Sequence, residues 1–87
     1  MDGDLIKLKN LGNTSVNLLH AVGIKTASDL ERVGPVQAYR SIKERGFSTS
    51  KVLLYALQGA LMDTHWNELD SQLKRKLVEE AELEVLN

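Results

Sequence analysis

Four glycines, Gly12, Gly23, Gly34 and Gly46, recur at intervals of 11, 11 and 12 residues and cap the length of every element in the first half of this chain. A glycine after an apolar helical run is a stop signal, because it takes the left-handed C′ conformation without steric penalty. The intervals leave room for helices of about two to three turns each. The residues between the glycines share little with one another, so the spacing is a packing rhythm and not a repeat. With 87 residues and 43% apolar content, the chain holds one core, since domains of this size bury only a little over half of their unfolded surface. A single, small, all-α domain of five helices follows.

The apolar residues place those helices. Leu11, Leu18, Leu19 and Val22 fall at i, i+7, i+8 and i+11, one buried face of a first helix between Gly12 and Gly23. Thr26 with Asp29 three residues later forms a carboxylate version of the capping box, which starts a short second helix carrying Leu30 and Val33. Gly34-Pro35 restarts the chain, because proline suits the first helical position, and Val36, Tyr39, Ile42 and Lys43 continue a third helix to Gly46. Ser48 or Thr49 is expected to cap the fourth. There Val52, Leu53, Ala56, Leu57, Ala60 and Leu61 form the fullest apolar stripe, and Ala56, Gly59 and Ala60 keep one face thin for another helix to approach. Asp63 to Glu68 reads as a loop with the single tryptophan. Asp70 caps a last helix with Leu73, Leu77 and Ala81 facing inward. Nothing reads as a strand.

Charge is spread unevenly around a net value of −1. From Lys7 to Lys51 there are 8 basic residues against 3 acidic, whereas Asp63 to Asn87 holds 7 acidic and 3 basic. The distribution makes a dipole along the sequence and argues against a dedicated, strongly basic nucleic-acid binder. Cysteine is absent, which removes disulfides, thiolate nucleophiles and cysteine-ligated zinc. The polar, acidic N-terminus is no secretory signal, and no apolar run reaches the ~18 residues of a membrane helix. A cytoplasmic protein without membrane contact is the expectation.

One local signal carries a mechanism. Leu8-Lys9-Asn10-Leu11-Gly12-Asn13-Thr14-Ser15 has the hydrophobic-x-Gly-hydrophobic-Gly outline of a helix-hairpin-helix turn, with Asn10 in place of the first glycine. Such a turn presents the first backbone N–H groups of the next helix, around Asn13, Thr14 and Ser15, to a phosphate oxygen, and Lys7 and Lys9 add charge. The plainer reading is that Gly12 permits a tight turn and the polar residues cap the helix. Asn10 tolerates positive φ, so the turn survives the exchange while close approach to a phosphodiester is hindered. Arg32, Arg40, Lys43 and Arg45 offer a second basic surface or a solvated helix face.

The remaining polar residues assemble no catalytic or metal site. His20 and His65 are the only histidines, lie 45 positions apart and lack a second ligand at diagnostic spacing. His20 suits the exposed C-terminal end of the first helix. Trp66 reads as an anchor between the fourth and fifth helices, or as a base-stacking side chain. No phosphate loop, serine triad or carboxylate pair appears, so the expectation is a non-enzyme with no cofactor, no metal and no small-molecule substrate.

Taken in order, Leu8-x-Asn10-Leu11-Gly12-x-x-Ser15, Ala21-Val22-Gly23-Ile24-x-Thr26-x-x-Asp29-Leu30, Gly34-x-Val36-x-Ala38-Tyr39, Leu54-Tyr55-Ala56-Leu57-x-Gly59-Ala60-Leu61 and His65-Trp66 resemble the C-terminal domain of the TfoX family, which includes bacterial regulators of DNA-uptake competence. The Gly23-to-Leu30 block is also similar to helix-hairpin-helix modules at large, including the C-terminal domain of the bacterial RNA polymerase α subunit. The Tyr55-to-Leu61 and His65-Trp66 blocks separate the two. The resemblance runs from about Leu8 to about Leu77 and divides the chain into a short N-terminal extension, 1–7, and a helical domain, 8–87. It implies a bacterial, cytoplasmic, five-helix domain tied to competence or transcription, with no catalytic activity and no settled ligand. In the full-length regulators this domain follows an α/β domain, so a chain starting here is a stand-alone relative or an excised domain.

Two functions of different class are therefore expected. The first is a regulatory module that touches nucleic acid, or a nucleic-acid-bound protein, weakly and without reading sequence, through Lys7, Lys9, Asn10, Gly12, Asn13, Thr14, Arg40 and Lys43. The second is a protein-interaction or self-associating domain, with contact through the acidic last helix or through Leu83, Val85 and Leu86.

Overall fold

In the computed structural model, which describes residues 4–83, three of the four spaced glycines act as helix stops. Helix α1 spans Asn13–Ala21, α2 Ala27–Val33 and α3 Pro35–Glu44, and Gly23, Gly34 and Gly46 follow them with φ of 84°, 89° and 91°. Gly12 does not stop a helix. It is the N-cap residue of α1 at φ −103°, and the left-handed residue of that turn is Asn10 at φ 73°. The asparagine thus does the conformational work that a glycine does at this place in related hairpins.

Capping chemistry sets the other boundaries. Ile24 N–H donates to the Leu19 carbonyl at 2.9 Å and Gly23 N–H to His20 at 3.0 Å, the paired bonds of a Schellman motif that turns Ile24 back onto Leu19 in the core. At the start of α2 the Thr26 hydroxyl accepts the Asp29 N–H at 3.1 Å while the Asp29 carboxylate accepts the Thr26 N–H at 3.3 Å, the expected capping box. Pro35 occupies the first turn of α3. Helix α4 is Lys51–Met62; its N-cap position is Ser50, not Ser48 or Thr49 as read from the sequence, because Ser50 is the residue with extended backbone next to the helix, and its side chain makes no capping hydrogen bond. Helix α5 is Ser71–Leu83, and Lys74 N–H donates to the Asp70 carbonyl at 3.0 Å.

Helices α3 and α4 form the centre. Helix α3 packs on α1, α2, α4 and α5, and α4 packs on α2, α3 and α5. Leu19, Leu30, Ile42, Leu54 and Leu57 are shut off from water, and each such side chain contributes roughly 2 kcal/mol of burial. The buried face of α4 differs by one position from expectation. Val52 is 42% exposed and Leu54 is buried, so the stripe is Leu53, Leu54, Ala56, Leu57 and Ala60, with Leu61 partly buried against it. Leu73, Leu77 and Ala81 face the core from α5 as expected.

The described part of the N-terminal segment packs against the helices. Asp4–Lys7 makes a 3-10 turn whose Leu5 is fully buried, and the Asp4 carboxylate accepts the Ala27 N–H at 2.9 Å, a second side-chain cap on α2. The segment Asp63–Glu68, read as a loop, contains a second 3-10 turn at Trp66–Glu68 that packs on α4. Leu83 ends α5, and the contact surface expected at Leu83, Val85 and Leu86 lies outside the described side chains.

Candidate nucleic-acid interface

The hairpin turn is anchored by the side chain of Asn10, the residue that stands in place of the first glycine. Asn10 Nδ2 donates to the Thr64 carbonyl at 2.9 Å and to the Ala56 carbonyl at 3.4 Å, and Asn10 Oδ1 accepts the Trp66 N–H at 3.1 Å. Its amide is therefore engaged with α4 and the corner that follows it, and ties the turn to that corner. Lys9 beside it, Lys7, Gly12, Asn13 and Thr14 are all exposed. Gly12 gives α1 no side-chain cap, so its first-turn N–H groups face outward without the competing oxygens that fill the start of α2.

What receives Asn10 is a second tight turn. Asp63 takes the left-handed conformation at φ 54°, Thr64 N–H donates to the Gly59 carbonyl at 2.9 Å, and the chain doubles back over α4. Gly59 is the floor of this corner. A Cβ there would lie 2.5 Å from the Thr64 carbonyl oxygen and 2.6 Å from Asn10 Nδ2. The thin surface of α4 does admit a close neighbour, though it is the Asn10 amide and a backbone carbonyl instead of the helix expected from Ala56, Gly59 and Ala60.

Aromatic rings cover the same corner. Tyr55 and Trp66 stack with centroids 6.3 Å apart at 18°, and His65 lies 6.5 Å from Trp66 at 28°. Lys74 Nζ from α5 sits 5.4 Å from the Trp66 ring and 5.5 Å from Tyr55. His65 is exposed, with Nδ1 2.7 Å from Asn67 Oδ1, and Trp66 is half-buried.

Arg40 and Lys43 belong to a different surface. They line a groove of about 370 Å³ between α3, α4 and α5, with Tyr39, Leu54, Val78 and Ala81 as apolar wall and Lys51, Glu44 and Glu82 at its edges. Arg40 bonds Gln37 Oε1 at 3.2 Å and pairs with Glu44 at 3.6 Å, and Lys43 Nζ lies 5.5 Å over the Tyr39 ring. Arg32 is on α2, paired with Asp29 at 2.8 Å. Basic and acidic halves of the sequence meet in this groove. Among the described residues no group of three or more acidic or histidine side chains could hold a metal ion, and no helix is long and apolar enough to cross a membrane.

The model of the TfoX C-terminal domain matches residues 1–81. The chain belongs to the TfoX C-terminal domain family. Two crystal structures of proteins from Listeria monocytogenes share its fold, each at 35% identity and a TM-score of 0.83. One is an uncharacterized protein in a triclinic form, covering 88% of this chain and 88% of that one; the other is a protein of unknown function in a tetragonal form, covering 90% and 95% respectively. No curated protein matches the chain.

Within this TfoX C-terminal domain the separate sequence blocks turn out to be parts of one junction. Asn10 comes from the hairpin block, Ala56 and Gly59 from the α4 block, and Trp66 from the His-Trp block, yet all meet within hydrogen-bonding or van der Waals reach. Sequence reasoning had no means of linking them. A glycine inside an otherwise well-formed helix and an asparagine at a glycine position were the only local hints.

Proposed function

We propose that this TfoX C-terminal domain is a non-enzymatic regulatory module that makes weak, sequence-independent contacts with nucleic acid through the Lys7–Ser15 hairpin. One observation carries the reading: the N-terminus of α1 has no side-chain cap and its residues Gly12, Asn13 and Thr14 are exposed a few positions after the exposed Lys7 and Lys9, while the N-terminus of α2 is filled by Thr26, Asp29 and Asp4. Backbone N–H groups at a helix start bind anionic oxygens irrespective of base sequence. Lys7 and Lys9 supply few ionic contacts, so the affinity is low and falls steeply with salt. A bacterial cytoplasmic setting and a part in competence or transcription belong to the same proposal.

A second reading, docking of a partner protein, is favoured by the groove of Tyr39, Leu54, Val78 and Ala81 with Lys43 and Lys51 at its edge. Charge reversal separates the two. Lys7→Glu with Lys9→Glu abolishes retention on immobilised duplex DNA at low ionic strength if the hairpin is the contact, and Lys43→Glu with Lys51→Glu leaves it near the wild-type level. Equal loss in both pairs, or loss only in the groove pair, contradicts the hairpin assignment.

A further inference from the structure

We propose that Tyr55, His65, Trp66 and Lys74 form a stacking surface for the bases of single-stranded nucleic acid whose phosphates lie along the neighbouring hairpin. The inference rests on the hairpin being a phosphate contact and adds the class of strand it takes. Three things on this corner converge. The Tyr55 and Trp66 rings are nearly parallel, and the exposed His65 ring continues the same array from the half-buried Trp66, so the array reaches solvent at its His65 end. Lys74 Nζ stands over both large rings, 5.5 Å from Tyr55 and 5.4 Å from Trp66. Finally, the Asn10–Trp66 bond ties the hairpin turn to the tryptophan backbone, so the hairpin and the rings are neighbours.

This combination suits an unpaired strand. Bases in a duplex already stack on each other and offer no free face, whereas a single strand presents a face with every nucleotide and tolerates any sequence. Lys74 covers the rings in the free protein through a cation–π contact that is weak at a partly exposed site, and it moves to a phosphate when a base takes its place. Asp63, Glu68 and Asp70 are exposed close by in sequence and repel phosphates, which limits the affinity and leaves stacking as the source of strand preference.

Trp66 is the only tryptophan, so its emission reports this surface directly. At low ionic strength the wild-type protein is titrated with dodecathymidylate and, separately, with a 12-base-pair duplex. Dodecathymidylate is expected to quench the Trp66 emission and to bind more tightly than the duplex. In anisotropy with a labelled strand, Trp66→Leu weakens single-strand binding by about five-fold or more, the scale of one lost stacking contact. His65→Ala and Lys74→Gln, both at the surface, keep the test open if Trp66→Leu fails to fold, and each lowers single-strand affinity more than duplex affinity. Binding of dodecathymidylate with unchanged Trp66 emission, or a preference for duplex, overturns the stacking surface and leaves the hairpin contact standing. No binding of either probe ends both.

Discussion

The Asn10 side-chain oxygen accepts the backbone N–H of Trp66 at 3.1 Å across 56 residues of sequence, and the same amide donates to two carbonyls of the α4 corner. A polar side chain at a turn normally satisfies its own local backbone. Here it closes the hairpin onto the corner after α4, so the geometry of the candidate interface depends on residues distant from it in sequence.

Replacing that amide tests the closure. Asn10→Gly keeps the left-handed backbone and removes the three hydrogen bonds, leaving part-buried backbone groups to water. The expected cost is about 2 kcal/mol in urea unfolding, with little change in the slope against denaturant. A cost below about 0.5 kcal/mol would mean that the bonds contribute nothing net.

Gly59→Ala presses on the same junction from the other side. Alanine gains about 1 kcal/mol of helix propensity at an interior position, but its Cβ meets the Thr64 carbonyl at 2.5 Å, and backbone cannot step aside as a flexible side chain can. Net destabilisation is expected. In the double variant with Asn10→Gly the two losses are less than additive, because removing the amide clears the second clash at 2.6 Å.

Much of the fold was legible because its signals are local. Thr26 and Asp29, Pro35, and Gly23, Gly34 and Gly46 each act within a few residues of themselves, and the structure uses them as read. The misreadings share a physical cause. Ser48, Thr49 and Ser50 have nearly equal capping ability, so the start of α4 was ambiguous, and an apolar run from Val52 to Leu54 does not say which of its ends faces water. The Asn10 partners, and the meeting of Arg40, Lys43 and Lys51 in one groove, are set by tertiary packing that no periodicity encodes.

Leu5→Ala separates an appended segment from an integral one. A buried leucine truncated to alanine costs about 2–5 kcal/mol, whereas a peripheral residue costs almost nothing. With Leu5 fully buried, the larger loss is expected in thermal unfolding, and a Tm within a degree or two of wild type would contradict the packing described.

Acid sensitivity follows from Asp29. The Lys25 N–H beside it, with lesser help from the Arg32 guanidinium and the Thr26 N–H, holds its carboxyl below the usual value of 3.8 against an opposing effect of desolvation. A carboxyl depressed on folding contributes stability above its unfolded value, and that contribution is lost as pH falls through the folded one. Wild type is therefore expected to exceed Asp29→Asn in Tm at neutral pH, with the gap narrowing below about pH 4. A gap that stays constant or widens in acid would contradict the assignment.

The most direct test of the hairpin as a nucleic-acid contact is the salt dependence of DNA affinity. Wild type is expected to bind at low ionic strength with log K falling linearly against log salt, and Lys7→Glu with Lys9→Glu reduces that slope by roughly 2. Absence of salt-dependent binding in the wild-type protein, on duplex and single strand alike, would contradict the central claim.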